Sequence, residues 1–94
     1  MNIQHILDDM VELARSLGYV VRREKGSFKG GACVLHNQKI ILLNKHVPAE
    51  TLSVMMARIL ALHDLEGLVM KPAIRAAIKK ELSTLTAHPD TPES

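Results

Sequence analysis

Apolar side chains over residues 1–17 recur with the spacing of one helix face. They stand three or four residues apart, as an amphipathic helix requires, at Ile3, Ile6, Leu7, Met10, Leu13, Ala14 and Leu17. Asn2 is a suitable N-cap, because its side-chain oxygen can accept a main-chain N–H. Gly18 suits the left-handed residue that commonly ends a helix. The pattern predicts a first helix over residues 3–17.

The pattern then changes to three short strands. Residues 19–25 are rich in β-forming side chains, and the glycine-rich stretch 26–31 is typical of a loop. Residues 33–36 and 39–44 read as a hairpin around an Asn37-Gln38 turn. A two-residue turn at that place sets His36 against Lys39, with the further pairs Leu35 with Ile40, Val34 with Ile41, and Cys33 with Leu42.

The run Ile40–Leu43 is apolar at every position, whereas a half-solvated strand would alternate. Both of its faces therefore need cover, either from helices on two sides of the sheet or from a second subunit. The second subunit is favoured, because a chain of 94 residues buries only roughly 60–65% of its unfolded surface and gains stability by pairing.

Two further helices complete the chain. Pro48 suits a helix start, and helical spacing follows at Leu52, Met55, Met56, Ile59, Leu60 and His63. Gly67 interrupts this pattern, and Pro72 restarts it for a third helix. The element order is α-β-β-β-α-α, and the predicted fold is α+β: a three-stranded antiparallel sheet with an N-terminal helix and two C-terminal helices. A single domain is expected over residues 1–86, with a flexible tail over residues 87–94.

Charge is divided unevenly along the chain. Residues 15–45 carry seven basic side chains against one acidic side chain, a net +6, and the remainder carries five basic and nine acidic, a net −4. The sheet region is therefore positive and the helices negative. One cysteine excludes an intramolecular disulfide. No apolar run has the roughly 20 residues of a bilayer span, so a cytoplasmic location is expected, without association with a membrane.

The sequence holds candidates for a metal site, a reactive thiol and a ligand-binding site. Zinc coordination lacks any HExxH, CxxC or HxxxH spacing, although His63 and Glu66 lie one helical turn apart, so no metal or cofactor is expected. Cys33 follows Gly31-Ala32 near Lys29 and Arg23, and nearby cations make a thiol more reactive; a small buried hydrophobe is the simpler explanation. The weak ligand-binding set is Arg22, Arg23, Lys25, Lys29, Gly30, Gly31, Cys33 and Lys45, with no catalytic residue.

A resemblance rests on the run Gly18-Tyr19, Val21-Arg22, Glu24-Lys25-Gly26, Phe28-Lys29-Gly30-Gly31, Cys33, Asn44-Lys45 and Pro48. Through these residues the chain resembles a group of small uncharacterised bacterial proteins, and the resemblance implies no activity. The chain is also distantly similar in architecture to the core of ImmA/IrrE-like zinc peptidases. Its helix over residues 52–63 lacks the paired histidines and the catalytic glutamate of that family, which implies a non-catalytic relative.

The leading hypothesis is a non-enzymatic protein-interaction module that acts as a homodimer, with an enzymatic role not favoured. The first alternative is binding of an anion or nucleic acid through the basic sheet and the glycine-rich loop. The second alternative is a thiol-dependent enzyme that uses Cys33.

Overall fold

A computed structural model of the chain describes residues 2–28 and 30–87, and the side chains of residues 85–87 lie outside that description. The elements are helix α1 (Ile3–Ser16), strands β1 (Tyr19–Glu24), β2 (Gly31–Leu35) and β3 (Gln38–Asn44), and helices α2 (Ala49–Ala61) and α3 (Pro72–Ala87). The α+β class and the element order predicted from the sequence are confirmed. The predicted tail over residues 87–94 lies, apart from residue 87, outside the described residues.

Helix α1 begins and ends where its sequence signals indicate. The Asn2 side chain accepts a hydrogen bond from the main-chain N–H of Gln4 at 2.7 Å. Gly18 follows the helix with a positive φ of 97°, the left-handed conformation that a Cβ atom disfavours. These two residues fix α1 directly against the start of β1.

The sheet is mixed, and the prediction of a fully antiparallel sheet is wrong. The strand order is β1-β3-β2, with β1 parallel to β3 and β2 antiparallel to β3. Strand β3, the most apolar of the three, lies at the centre of the sheet. Its tight hairpin places β2 on one side, so β1 pairs with its other side. The connection from β1 to β2 crosses the end of β3. Strand β2 therefore runs in the direction opposite to β1, and β3 then runs parallel to β1.

The hairpin turn lies one residue earlier than the sequence suggested. His36 and Asn37 both have positive φ, 52° and 64°, which a two-residue turn between twisted strands requires at both central positions. Leu35 therefore lies opposite Gln38, and Cys33 lies opposite Ile40. The predicted partner of each β2 residue is therefore displaced by two residues along β3. Asn37 is central in both turns, and His36 accepts the left-handed region more readily than Gln38 does.

One face of the sheet carries the hydrophobic core. Ile41 and Leu43 of β3 join a buried cluster with side chains from all three helices, namely Leu7, Met10, Val11, Ala14, Leu52, Met56, Ala57, Leu60, Ile74 and Ile78. Tyr19 and Val21 of β1 pack against the same cluster. Ile40 and Leu42 alternate onto the other face and lie outside it. We call that second side of the sheet the open face.

Candidate interaction surface

Strand β2 is an edge strand with unusual composition for that position. Its sequence, GACVL, carries no charged side chain, and Val34 and Leu35 are 70% and 53% exposed. Within the described residues its substantial contacts are with β3 alone. Exposed, uncharged edges are templates for pairing with another strand, and soluble proteins commonly protect them with charges, proline or bulges. The β2 edge has none of these protections.

The opposite edge of the sheet differs in charge. Strand β1 ends in Arg22, Arg23 and Glu24. Arg23 reaches helix α1, where one of its Nη atoms lies 3.2 Å from the carboxylate of Asp8. Hydrogen bonds from Gln4 and then from Arg23 lower the pKa of Asp8 from its ordinary value. The β1 edge is therefore charged and packed against α1, whereas the β2 edge is neutral.

The register of the hairpin determines which main-chain groups of β2 face outward. Leu35 and Gln38 flank the two-residue turn and exchange hydrogen bonds, and in an antiparallel ladder such pairs alternate with pairs that do not. Cys33 opposite Ile40 is then a bonded pair, whereas Ala32 opposite Ile41 and Val34 opposite Lys39 are not. The N–H and C=O groups of Ala32 and Val34 therefore point away from β3.

A groove of about 620 Å³ separates the β2 edge from helix α2. Its α2 wall includes Glu50, Val54 and Arg58, which are four residues apart and therefore share one helix face. All three are exposed. Arg58 also donates from Nε to Glu81 of α3 at 2.8 Å, and its side chain stays 56% exposed.

The open face of the sheet carries a short apolar patch. Val20, Ile40 and Cys33 stand in register across the three strands. Ile40 is only 7% exposed because it lies between these two neighbours, whereas Val20 is 39% exposed and Cys33 is an exposed free thiol. The second-face burial expected for residues 40–43 thus comes partly from the central position of β3 within the sheet.

Asn44, at the end of β3, organises the crossing over residues 25–30. Its buried side-chain amide donates to the main-chain oxygens of Gly26 at 2.9 Å and Phe28 at 2.5 Å, and its oxygen accepts the N–H of His46 at 2.9 Å. Both donors and the acceptor are thus used. Asn44 belongs to the run that carries the family resemblance, but no structural role was predicted for it; a polar side chain that ends an apolar run was the available signal.

The crossing also depends on a glycine. Gly30 has a positive φ of 93°, and a Cβ atom there would collide with the main-chain oxygen of Leu42. Anion binding through the glycine-rich loop was only an alternative hypothesis, and Gly30 has a structural role instead, because it allows close approach of two backbones. Gly31, with φ of 134°, starts β2.

The predicted basic ligand set is dispersed rather than assembled. Arg22 faces the open side, where its Nε lies 3.6 Å from Glu24, and Arg23 alternates onto the α1 side. Lys25 and Lys45 are exposed, and Lys29 lies outside the described residues. Arg23 and Lys45 do line one concavity of about 160 Å³ near the first turns of α1 and α2. Cys33 shares the open face with Arg22, one row further along the sheet.

His63 packs against Tyr19 and hydrogen-bonds to it. Its Nε2 lies 2.6 Å from the hydroxyl of Tyr19, and the two rings are nearly perpendicular with centroids 5.4 Å apart. Lys39 places its ammonium 4.9 Å above the same tyrosine ring and donates to the oxygen of Leu17. These contacts join β1, β3 and the end of α2.

The described residues form no metal-binding site. Among them, no three His, Cys, Asp or Glu side chains cluster closely enough to hold a metal ion. Within that same part of the chain the Cys33 sulfur has no hydrogen-bond partner. None of the described helices combines the length and the apolar character needed to cross a bilayer.

Comparison with known proteins adds no relative to this description. The chain matches no protein-family model, no curated protein and no solved structure. The exposed β2 edge, its groove along α2 and the patch on the open face therefore have to be interpreted from their own geometry.

Proposed function

We propose that this protein is a non-enzymatic interaction module that acts as a homodimer. The observation that carries the proposal is the β2 edge: an uncharged strand with outward N–H and C=O groups and two exposed apolar side chains, Val34 and Leu35. Burial of this apolar surface favours association, at roughly 25 cal/mol for each Å² removed from water. Main-chain hydrogen bonds along an edge add direction and register.

The charge distribution supports association through this side rather than through the β1 side. Charges at a strand edge must lose water when another strand approaches, which is costly unless they are paired. The β1 edge ends in three charged residues, whereas the β2 edge presents only main-chain groups and small or apolar side chains.

The test is the solution mass of the chain, measured by light scattering with size-exclusion chromatography over a wide range of protein concentrations. The proposal predicts a mass twice that of the 10.4 kDa chain, falling towards one chain only on strong dilution. A mass of one chain throughout the range would contradict it.

A second candidate function is binding of a phosphate or similar anion, and it is favoured by Arg23 and Lys45 on the wall of one concavity. It ranks second because Asp8 already neutralises part of the charge of Arg23. Titration with inorganic phosphate by calorimetry tests it. Binding that weakens with added salt and is lost on Arg23→Ala and Lys45→Ala, but not on Lys71→Ala, would support it; no heat of binding would exclude it.

A further inference from the structure

We propose that the second copy binds by antiparallel addition of its own β2 to the β2 edge, with the two Cys33 residues facing each other on the two-fold axis. The two sheets then form one continuous sheet through both copies. This inference rests on the proposed homodimer and specifies its interface, its register and the side chains at its centre.

A strand edge is self-complementary when two copies meet about a two-fold axis. In an isologous interface the same surface appears on both sides, and the outward N–H and C=O groups of each copy meet those of the other. The outward groups belong to Ala32 and Val34, as the hairpin register requires. Pairing Ala32 of one copy with Val34 of the other, twice, gives about four main-chain hydrogen bonds.

One register engages all of β2. The outward N–H and C=O groups of the two β2 strands must face each other. The allowed registers are therefore those in which Ala32 and Val34 stay in hydrogen-bonded pairs. Among these registers, the one that sets Cys33 opposite Cys33 overlaps the full strand from Gly31 to Leu35. Shifted registers leave one end of β2 unpaired or extend the ladder into the His36-Asn37 turn, where φ is positive.

The two Cys33 residues at the centre of the proposed interface lie close enough to form a disulfide. Cys33 alternates with the hydrogen-bonded residues Ala32 and Val34, so Cys33 and Cys33 of the second copy form a non-bonded pair. The Cα atoms of such pairs lie about 4.5 Å apart, within the roughly 4.4–6.8 Å that a disulfide spans. The thiols are exposed in the single chain, so a mild oxidant can reach them on the open face.

Helix α2 is also complementary to itself. Glu50, Val54 and Arg58 form an exposed stripe on the wall of the groove beside β2. When two such helices meet antiparallel about a two-fold axis at Val54, Glu50 of one copy faces Arg58 of the other at both ends. Opposite charges placed in this way favour one orientation and disfavour parallel pairing. This complementarity identifies a second copy as the occupant of the groove.

The first test is cross-linking of Cys33 by diamide, which accepts the two electrons and two protons released when two thiols form one disulfide. The proposal predicts that most of the chain becomes a covalent dimer, reversed by a thiol reductant. The matched control is Cys33→Ser with Leu35→Cys, which moves the thiol along the same face. Across the axis the new thiols stand four residues apart, roughly 13 Å, so cross-linking should fall at least tenfold.

Equal cross-linking of the two proteins would indicate random collision and would overturn the register. A native dimer in which Cys33 does not cross-link would overturn the β2 interface but leave the homodimer standing. A native monomer by light scattering would overturn both. The two proposals therefore fail in distinguishable ways.

The second test removes one outward N–H. Val34→Pro retains the ladder to β3, because the lost N–H points away from it and proline is accepted on the solvent side of an edge strand. Val34→Ala keeps the N–H and removes most of the side chain. The interface predicts that Val34→Pro is a folded monomer by circular dichroism and light scattering, whereas Val34→Ala weakens the dimer much less. A dimeric, folded Val34→Pro would overturn the proposal.

Discussion

Asn44 gives the most direct prediction about how the fold is held together. Its side chain makes three hydrogen bonds, to the oxygens of Gly26 and Phe28 and from the N–H of His46, and it is only 3% exposed. Each hydrogen bond contributes about 1 kcal/mol net, with a further cost where a buried partner is left unsatisfied. Asn44→Ala is therefore expected to lower the free energy of unfolding by about 3 kcal/mol.

Asn44→Asp tests the two donated hydrogen bonds separately from the accepted one. It keeps an oxygen for the N–H of His46 but loses both donors, and it places a carboxylate against the oxygens of Gly26 and Phe28. Since buried charge without a partner is more costly than a missing group, this variant should be less stable than Asn44→Ala at neutral pH. Gln38→Ala is the control: Gln38 is an exposed amide on the same strand, and its loss should cost less than about 0.5 kcal/mol.

The assay is urea unfolding followed by far-ultraviolet circular dichroism. All variants are measured at one fixed protein concentration, because the proposed dimer would also stabilise the folded chain. Limited proteolysis with trypsin should show faster cleavage after Lys25, since the crossing loses its attachment. A cost for Asn44→Ala below about 0.5 kcal/mol, equal to that of Gln38→Ala, would contradict this role of Asn44.

Three further predictions concern single contacts. Gly67→Ala should cost roughly 1–2 kcal/mol, because its φ is positive. Gly30→Ala should cost several times more, because a Cβ atom there would also collide with a main-chain oxygen. The urea midpoints of the two variants test this difference. Tyr19→Phe should cost about 1 kcal/mol in urea unfolding, because the hydroxyl partner of His63 is lost. The lowered pKa of Asp8 stabilises the fold above the unfolded pKa, and this contribution is lost as the pH falls through the folded pKa. The thermal melting difference between the native chain and Asp8→Asn should therefore shrink with acidification, and a constant difference would contradict the linkage.

The helices were predictable because their signals are local. The spacing of apolar residues in α1 and its flanking Asn2 and Gly18 specify both the element and its ends. The strand order was not predictable in the same way. The apolar run Ile40–Leu43 indicates a strand with both faces covered, but which edge β1 takes depends on the connection between β1 and β2. That crossing is held by tertiary contacts that no local pattern encodes.

The hairpin turn and the basic ligand set show two other limits of prediction from the sequence. The one-residue error in the hairpin arose because His36, rather than Gln38, accepts positive φ beside Asn37, a small energetic preference that tertiary pairing can decide. The basic residues looked like a cluster because they are close in sequence. Strand alternation sends Arg22 and Arg23 to opposite faces, and this argument could have been applied to the sequence alone.

The β2 interface makes a residue-level prediction that amide hydrogen exchange, followed by nuclear magnetic resonance, tests most directly. In the proposed dimer the N–H groups of Ala32 and Val34 bond to the second copy, whereas that of Cys33 bonds to β3 within the chain. We expect exchange of the Ala32 and Val34 N–H groups to be slow at high protein concentration and to accelerate on dilution, with the Cys33 N–H protected under both conditions. Fast exchange of Ala32 and Val34 at every concentration would contradict it.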